Sequence, residues 1–403
     1  MKKQICILVA AMLLLTGCQF SAKPQQQVVP EFTLPVPQET TIPVSDPTEE
    51  TPSVQYTQKQ MIAVSMTPEY DYLRDEQNNV IFRFTKQDIT LSGPTENVSA
   101  LITEDFENRL DEYKILADDF RMNAESQYNQ YDDWATHYYD VYYSPTRIDR
   151  EVLSLSGNIF SYTGGRPTQV NSAINYSVLT GEVLTLGSIL NHIDAKDDLV
   201  KLVTQQAAVQ MEQLQLFDDY ADCIADRFDR EESFDEDWYF TEKGLCFYFT
   251  PYEIAPYTSG TVLLEIPYGQ LGGIIDDDFF PPEEEIMIGS ICAQQLSEAD
   301  LSGYTQLAEV DVDSIGEPFF LFVDGAISDI QIMRGYWDED GTEFTPEYTI
   351  FACNSLTPGD GIILQADIPD TMPNLCIQYR SGNENITVFL SQSGMDASAI
   401  LIS

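Results

Sequence analysis

Val80-Ile81-Phe82-Arg83-Phe84-Thr85, running on to Leu91, is followed beyond Asn97 by Leu101, Phe106, Leu110, Tyr113, Leu116, Ala117 and Phe120. The first stretch sets Ile81, Arg83 and Thr85 against Phe82 and Phe84, the two-residue alternation of a strand with one face on a core. The second returns apolar residues near every third or fourth position, the period of a helix. Thr103, Phe106 and Glu107 place helix-start chemistry near its beginning, so a long amphipathic helix is expected into the 120s. A strand followed by such a helix, and then by more strands, decides the fold class.

The strands resume at His137 to Tyr143 and at Glu151 to Tyr162, the latter ending on Gly164-Gly165, where a turn with positive φ is expected. Asn175 to Leu179 and Val183 to Leu186 flank Thr180-Gly181-Glu182, a hairpin signal. Lys196 to Phe217 carries Leu199, Leu202, Val203, Met211, Leu214 and Phe217 and reads as a second helix. Trp238 to Thr241, Leu245 to Phe249 and Val262 to Ile266 read as three further strands. Helices inserted among hairpin-linked strands predict an α+β domain over residues 57–280, with two helices and a mainly antiparallel sheet.

The acidic, doubly prolyl stretch Asp276-Asp277-Asp278-Phe279-Phe280-Pro281-Pro282-Glu283-Glu284-Glu285 reads as a linker. Beyond it, residues 286–403 show no helix except a short one near Ser297 to Leu301. Phe319 to Val323 and Ile327 to Met333 flank Asp324-Gly325, the dipeptide of a tight hairpin. Tyr348 to Cys353, Ile362 to Ala366, Leu375 to Tyr379, Ile386 to Leu390 and Ala399 to Ile402 follow at short intervals. A small, sandwich-like all-β domain is the expectation.

The amino-terminal end is of a different kind. Lys2 and Lys3 precede an apolar run from Ile5 to Leu15 that is short for a bilayer span. The run closes on Leu15-Thr16-Gly17-Cys18, which resembles the lipobox of bacterial lipoproteins. That resemblance implies a signal peptide over residues 1–17 and a lipid on the Cys18 thiol. Acyl chains contribute about 0.8 kcal/mol per buried methylene, so several of them hold a protein at a membrane. Residues 18–56, rich in Pro, Gln and Thr, have too few large apolar side chains to offset the entropy of ordering and read as a tether. The expected location is the extracytoplasmic face of the cell membrane.

Asp and Glu total 66 against 20 Lys and Arg, a net charge of −46. Phosphate binding needs clustered cations, so nucleic acid is excluded as a partner. The same charge steers a cationic protein towards the surface, although acidity also serves solubility alone. Cys6 leaves with the signal peptide; Cys223, Cys246, Cys292, Cys353 and Cys376 then remain. Cys353–Cys376 and Cys223–Cys246 are compatible with disulfides, and buried free thiols are the favoured alternative.

Signs of chemistry are few. Neither histidine, His137 or His192, lies in a zinc-binding spacing, and His137 in a Tyr-rich strand reads as structural. No serine-hydrolase elbow, phosphate loop or dinucleotide fingerprint occurs. Asp311-Val312-Asp313-Ser314-Ile315-Gly316 opens like a calcium loop but has Ile315 and Phe322 where oxygen ligands belong. The expectation is a protein without catalytic residues, metal or cofactor. A wall-modifying enzyme, whose paired carboxylates sequence cannot select, and an envelope assembly subunit stay open as alternatives.

Val152-Leu153-Ser154-Leu155, Tyr162-Thr163-Gly164-Gly165, Asn175-Tyr176 and Thr180-Gly181-Glu182-Val183-Leu184-Thr185-Leu186 together resemble the ectodomain of RsiV-type anti-sigma factors. Trp238-Tyr239-Phe240-Thr241, Gly244-Leu245, Phe249 through Tyr257, Gly260 and Ile266-Pro267-Tyr268 continue the resemblance in order, over roughly residues 60–275. Such modules also occur beside peptidoglycan-deacetylase domains. The resemblance implies an α+β extracellular binding module, with lysozyme captured by the best-understood relatives. It points to Gly164, Gly165 and Arg166, and to Tyr252, Glu253 and Tyr257, as candidate ligand contacts. Against it, the relatives carry a histidine shortly after the glycine pair, where this chain has Arg166-Pro167. The relatives' cytoplasmic anti-sigma segment and membrane span have no counterpart here, so binding is the inherited expectation and sigma-factor control is not.

Overall fold

Ile81, Phe82, Phe84, Ile89 and Leu91 are buried along one strand, and Val98, Ile102, Phe106, Leu110, Ala117 and Ala124 along the helix that follows it. The larger of these side chains contribute about 1.5–3 kcal/mol each when fully buried, which fixes the helix on the sheet. A computed structural model describes residues 61–402 except 129, 131–133, 193, 230–236, 282–286, 313–315, 317, 339–340, 369–371 and 393–398. The signal peptide, Cys18 and the tether expected over residues 1–56 lie outside the described residues.

The chain begins with β1 (Ala63–Arg74), β2 (Val80–Ser92), α1 (Glu96–Tyr128), β3 (His137–Ile148), β4 (Val152–Tyr162) and β5 (Thr168–Ser177). Next come α2 (Leu186–Ile189), α3 (Ala195–Val209), α4 (Met211–Leu214), α5 (Tyr220–Asp229), β6 (Trp238–Phe240), β7 (Gly244–Phe249), β8 (Val262–Pro267) and α6 (Tyr268–Leu271). The remainder is β9 (Ile291–Gln295), β10 (Gln306–Asp311), β11 (Pro318–Val323), β12 (Ile327–Trp337), β13 (Phe344–Leu356), β14 (Asp360–Gln365), β15 (Leu375–Ser381), β16 (Glu384–Gln392) and β17 (Ala399–Ile402). Described residues thus form an α+β fold, as expected.

A ten-stranded sheet runs β17-β16-β15-β12-β13-β1-β2-β3-β4-β5. It is antiparallel except where β2 and β3 pair in parallel, joined by α1 as the long crossover that a parallel pair requires. The sheet curls so that β3 approaches β13: Tyr142 stacks on Tyr348 with centroids 5.2 Å apart, and buried Gln87 bonds to both strands. A four-stranded sheet, β10-β14-β11-β9, and a three-stranded one, β6-β7-β8, complete the fold.

Two expectations are corrected. The linker expected over 276–285, of which 282–285 lie outside the described residues, does not divide residues 57–280 and 286–403 into independent sheets. The reason is that β1 pairs with β13 through Ala63–Cys353, Val64–Ala352 and Ser65–Phe351. β1 itself escaped the sequence reading: Pro68, Glu69 and Asp71 disguise it. They are tolerated because β13 leaves β1 after Ser65 and opens an edge there. The second correction concerns Asp324-Gly325, which is a corner between sheets and not a hairpin turn. β11 pairs with β14 and β9, whereas β12 pairs with β13 and β15. Asp324 accepts a bond from the Ser290 backbone N–H at 2.6 Å, and a Cβ on Gly325 would stand 2.3 Å from the Ile288 carbonyl oxygen. Glycine is therefore present for close backbone approach.

Smaller differences have local causes. The arm after Thr180-Gly181-Glu182 makes one bridge, Tyr176–Val183, before Thr185 caps α2. The helix expected over 196–217 ends at Val209, restarts as α4 and stops at Gln215 with φ 54°. α5 was not foreseen. The short helix near Ser297 is two 3-10 turns, Leu296–Glu298 and Leu301–Gly303. All five described cysteines are free, in line with the favoured alternative, and Cys246, Cys353 and Cys376 are buried.

The core has three parts. One lies between α1 and the sheet, where Phe106 meets Tyr143 edge-on at 5.2 Å. Another lies between the four-stranded sheet and the β12–β16 end of the large one. The third gathers α3, α5 and the three-stranded sheet around Trp238, Phe240, Phe247 and Phe249. A buried polar chain joins the third part to the large sheet. Ser154 Oγ donates to Asn175 Oδ1 (2.7 Å), Asn175 Nδ2 donates to the Trp238 carbonyl (3.0 Å), and the Phe240 N–H donates to Ser154 Oγ (3.0 Å).

Candidate functional site

The turn after β4 begins the site. Gly164 has φ +86°, a conformation that side-chain-bearing residues rarely adopt, so the glycine is required there. Gly165 does not share this constraint; it faces open space. The turn delivers the Arg166 guanidinium over the Tyr257 ring, 4.9 Å from its centroid. Tyr257 in turn lies 5.8 Å from Tyr252, ring to ring.

The loop bearing both tyrosines is held from beneath. Ile254 and Ala255 are buried, and the Ile254 carbonyl accepts from the Phe217 N–H at 2.9 Å. Ser259 Oγ donates to the Leu214 carbonyl at 2.7 Å, and Thr261 Oγ1 to Asn171 Oδ1 at 2.9 Å. Tyr252 sits at φ +72°, costly for a bulky residue, and is locked by its N–H bond to the Ala255 carbonyl at 2.9 Å. The fixed loop leaves Tyr252 56% and Tyr257 41% exposed. Rigid aromatic rings presented to solvent suit a contact surface.

Glu253 does not join them. Its carboxylate turns inward, accepting from the Thr250 N–H at 2.9 Å and pairing with Arg227 Nε at 3.2 Å. Arg227 also pairs with Asp237, so Glu253 anchors the loop to α5. Asp218, Asp219, Asp222 and Asp226, in and just before α5, are exposed beside this anchor. Burial, and then Asp219, Asp226, Asp222 and Glu253 in that order, push the Cys223 thiol up, a sign of how these carboxylates cluster. Of the six contacts suggested by resemblance, Gly164 positions Arg166, Arg166 meets Tyr257, and Tyr252 joins them. Gly165 and Glu253 stand apart.

Sequence reasoning passed over a cavity on the other side of the same turn. Gln127, Trp134, His137, Tyr162, Thr163 and Gly164 line a space of about 170 Å³. His137 is 2% exposed, its Nδ1 has no partner among the described residues, and the Trp134 ring lies over it at 4.1 Å. Tyr162 stands perpendicular to the imidazole at 5.7 Å. The only signal in the sequence was a histidine between a tryptophan and a row of tyrosines.

Burial lowers the His137 pKa from the ordinary 6.5. As pH falls through about 6.5 the unfolded chain takes up this proton before the folded one, so folding loses stability towards acid. The loss can reach about 1.4 kcal/mol per pH unit until the folded imidazole titrates. Thermal denaturation between pH 7 and pH 5 is expected to show a steeper fall in wild type than in His137→Phe. Parallel curves would mean that His137 is not buried as a neutral group.

Among the described residues every cysteine, Cys223 and Cys292 included, is pushed up by burial. Burial pushes Cys246 and Cys376 up to about 11 and Cys353 well above its ordinary value, leaving them protonated at neutral pH. Among the described residues no three His, Cys, Asp or Glu side chains are grouped to hold a metal ion, and no helix is long and apolar enough to cross a membrane.

Residues 189–269 match the DUF3298 family model, described as a protein of unknown function. The matched stretch runs from the end of α2 into α6 and includes the Tyr252–Tyr257 loop; Arg166 and His137 precede it. Among solved structures, a DUF3298 family member from Bacteroides fragilis is similar at 18% identity, covering 55% of this chain and 96% of that one, with a TM-score of 0.39. A DUF3298 family protein from Pseudomonas aeruginosa is similar at 17% identity, covering 55% and 97%, with a TM-score of 0.36. No curated protein matches the chain.

Proposed function

We propose that this chain is a lipid-anchored, extracytoplasmic binding protein that captures a cationic protein without catalysing a reaction on it. The observation that carries the proposal is the exposed Tyr252–Tyr257 pair, held on a rigid loop with Arg166 against one ring and exposed Asp218, Asp219, Asp222 and Asp226 nearby. Aromatic anchors supply contact energy with little loss of side-chain freedom, while an acidic flank accelerates encounter with a basic partner. The net charge of −46 acts in the same direction.

The lipobox-like Leu15-Thr16-Gly17-Cys18 supports a membrane-anchored location. The resemblance to RsiV-type ectodomains, of which the DUF3298 match is the coarser counterpart, supports lysozyme as the partner to try first. Arg166 follows Gly165 where those relatives approach their histidine, and in this chain its guanidinium stacks on Tyr257. Calorimetric titration of the purified chain with lysozyme across a salt series tests the reading. Heat at low salt that weakens as salt rises is expected. A folded sample that gives no heat at any salt concentration removes lysozyme as the ligand.

A further inference from the structure

The cavity beside His137 is not explained by the tyrosine face. A single ordered water needs roughly 10–15 Å³, far less than this partly open space of about 170 Å³. The space is smaller than the ~300–1,000 Å³ typical of drug-sized ligands, so it fits one ring or the end of a larger molecule.

The lining selects the chemistry. Gln127, Thr163 and His137 are polar and uncharged at neutral pH, and among the described residues none that lines the space is Asp, Glu, Lys or Arg. An anion finds no cation there. A cation finds no carboxylate, and one face of Trp134 is already occupied by the imidazole 4.1 Å away, so the rings do not form an open cage. The indole N–H is committed to the Ile81 carbonyl at 3.0 Å, so Trp134 contributes ring surface and not a donor. Tyr162 adds a second ring surface, perpendicular to the imidazole.

The position of Gly164 reinforces this. A Cβ there would stand 3.1 Å from His137 Nε2, so glycine keeps that side of the imidazole clear. Nε2 of the neutral imidazole on the glycine side, the Gln127 carbonyl Oε1, whose neighbouring Nε2 already donates to Asn123 Oδ1, and the Thr163 hydroxyl are the hydrogen-bonding groups of the lining. Hydroxyl groups, which donate and accept alike, complement such a set. We propose that the Trp134–His137–Tyr162 cavity binds a neutral monosaccharide unit, with its apolar C–H face on a ring and its hydroxyls on His137, Gln127 and Thr163. The site is separate from the tyrosine face, and the proposal stands whether or not a cationic protein docks there.

Saturation-transfer NMR on the full chain tests it, with glucose, N-acetylglucosamine and tetramethylammonium as the probes. Transfer to sugar ring protons is expected, with a dissociation constant on the order of millimolar for so small a ligand. A preference between the two sugars separates a hydroxyl-only subsite from one that takes the acetamido group. His137→Phe keeps the ring's volume and removes both nitrogens, and should weaken binding at least tenfold in a protein that still melts cooperatively. Gln127→Ala, on the half-exposed face of α1, should weaken binding about threefold and serves if His137→Phe does not fold. No transfer to either sugar from folded protein, transfer to tetramethylammonium alone, or binding by both variants equal to wild type would overturn the proposal.

Discussion

Arg147→Ala is expected to lower the folding stability by about 3–5 kcal/mol, the usual cost of removing one partner of a buried ion pair. Arg147 is 4% exposed at the end of β3. Its Nε donates to Asp149 Oδ2 at 2.7 Å, and its Nη1 donates to the Tyr268 hydroxyl and to the Phe279 carbonyl, both at 2.6 Å. The guanidinium also lies 5.2 Å from the Phe240 ring centroid and 5.5 Å from that of Tyr268. One side chain therefore ties the large sheet to the three-stranded sheet, α6 and the segment beyond it. Arg147→Met separates the contributions, because it restores the apolar stem but not the donors. If packing dominates, methionine recovers most of the loss; if the stranded Asp149 carboxylate dominates, it recovers little. Urea denaturation of the three proteins measures this, and an alanine variant within about 1 kcal/mol of wild type would show the network to be dispensable.

How much of this was legible in the sequence depends on distance along the chain. The strand at Val80–Leu91 and the helix after it carry their own periodicities, and burial follows them in part. Phe82, Phe84, Phe106 and Leu110 are buried as the periods require, but Ile81 and Thr85 on the other face of the strand are buried too and Leu101 is exposed. The join between β1 and β13 leaves no local trace, since Ala63-Val64-Ser65 has no pattern that names Phe351-Ala352-Cys353 as its partner. Asp324-Gly325 shows the opposite failure, in which a local signal was real but its setting was not local. Phe319, Phe320 and Leu321 are consecutively buried, which marks a strand covered on both faces and flanked on both sides. Such a run argues against a two-stranded hairpin, whatever turn the dipeptide favours. In the site, Arg166 and Tyr257 were each named, but only folding brings them together. His137 reads as structural in the sequence, and the open space beside it is a tertiary fact.

Tyr257→Ala is expected to weaken capture of a cationic protein by about 2–4 kcal/mol, roughly thirty- to a thousandfold in the dissociation constant. Tyr257 is the better target of the pair because it touches both Tyr252 and Arg166, and central aromatic residues carry most of an interface's energy. The side chain is 41% exposed and no core contact depends on it, so stability should change by no more than about 0.5 kcal/mol. Loss of binding would then not be loss of fold. Tyr336→Ala, which removes a 58% exposed tyrosine from β12, is the matched control and should leave binding unchanged. Kinetics divides the work between rings and charges. Tyr257→Ala should act on dissociation, whereas neutralising Asp222 and Asp226 to Asn should slow association and flatten its dependence on salt. If the carboxylate variants instead left association unchanged at low salt, the acidic flank would be there for solubility, and the tyrosine pair alone would define the surface.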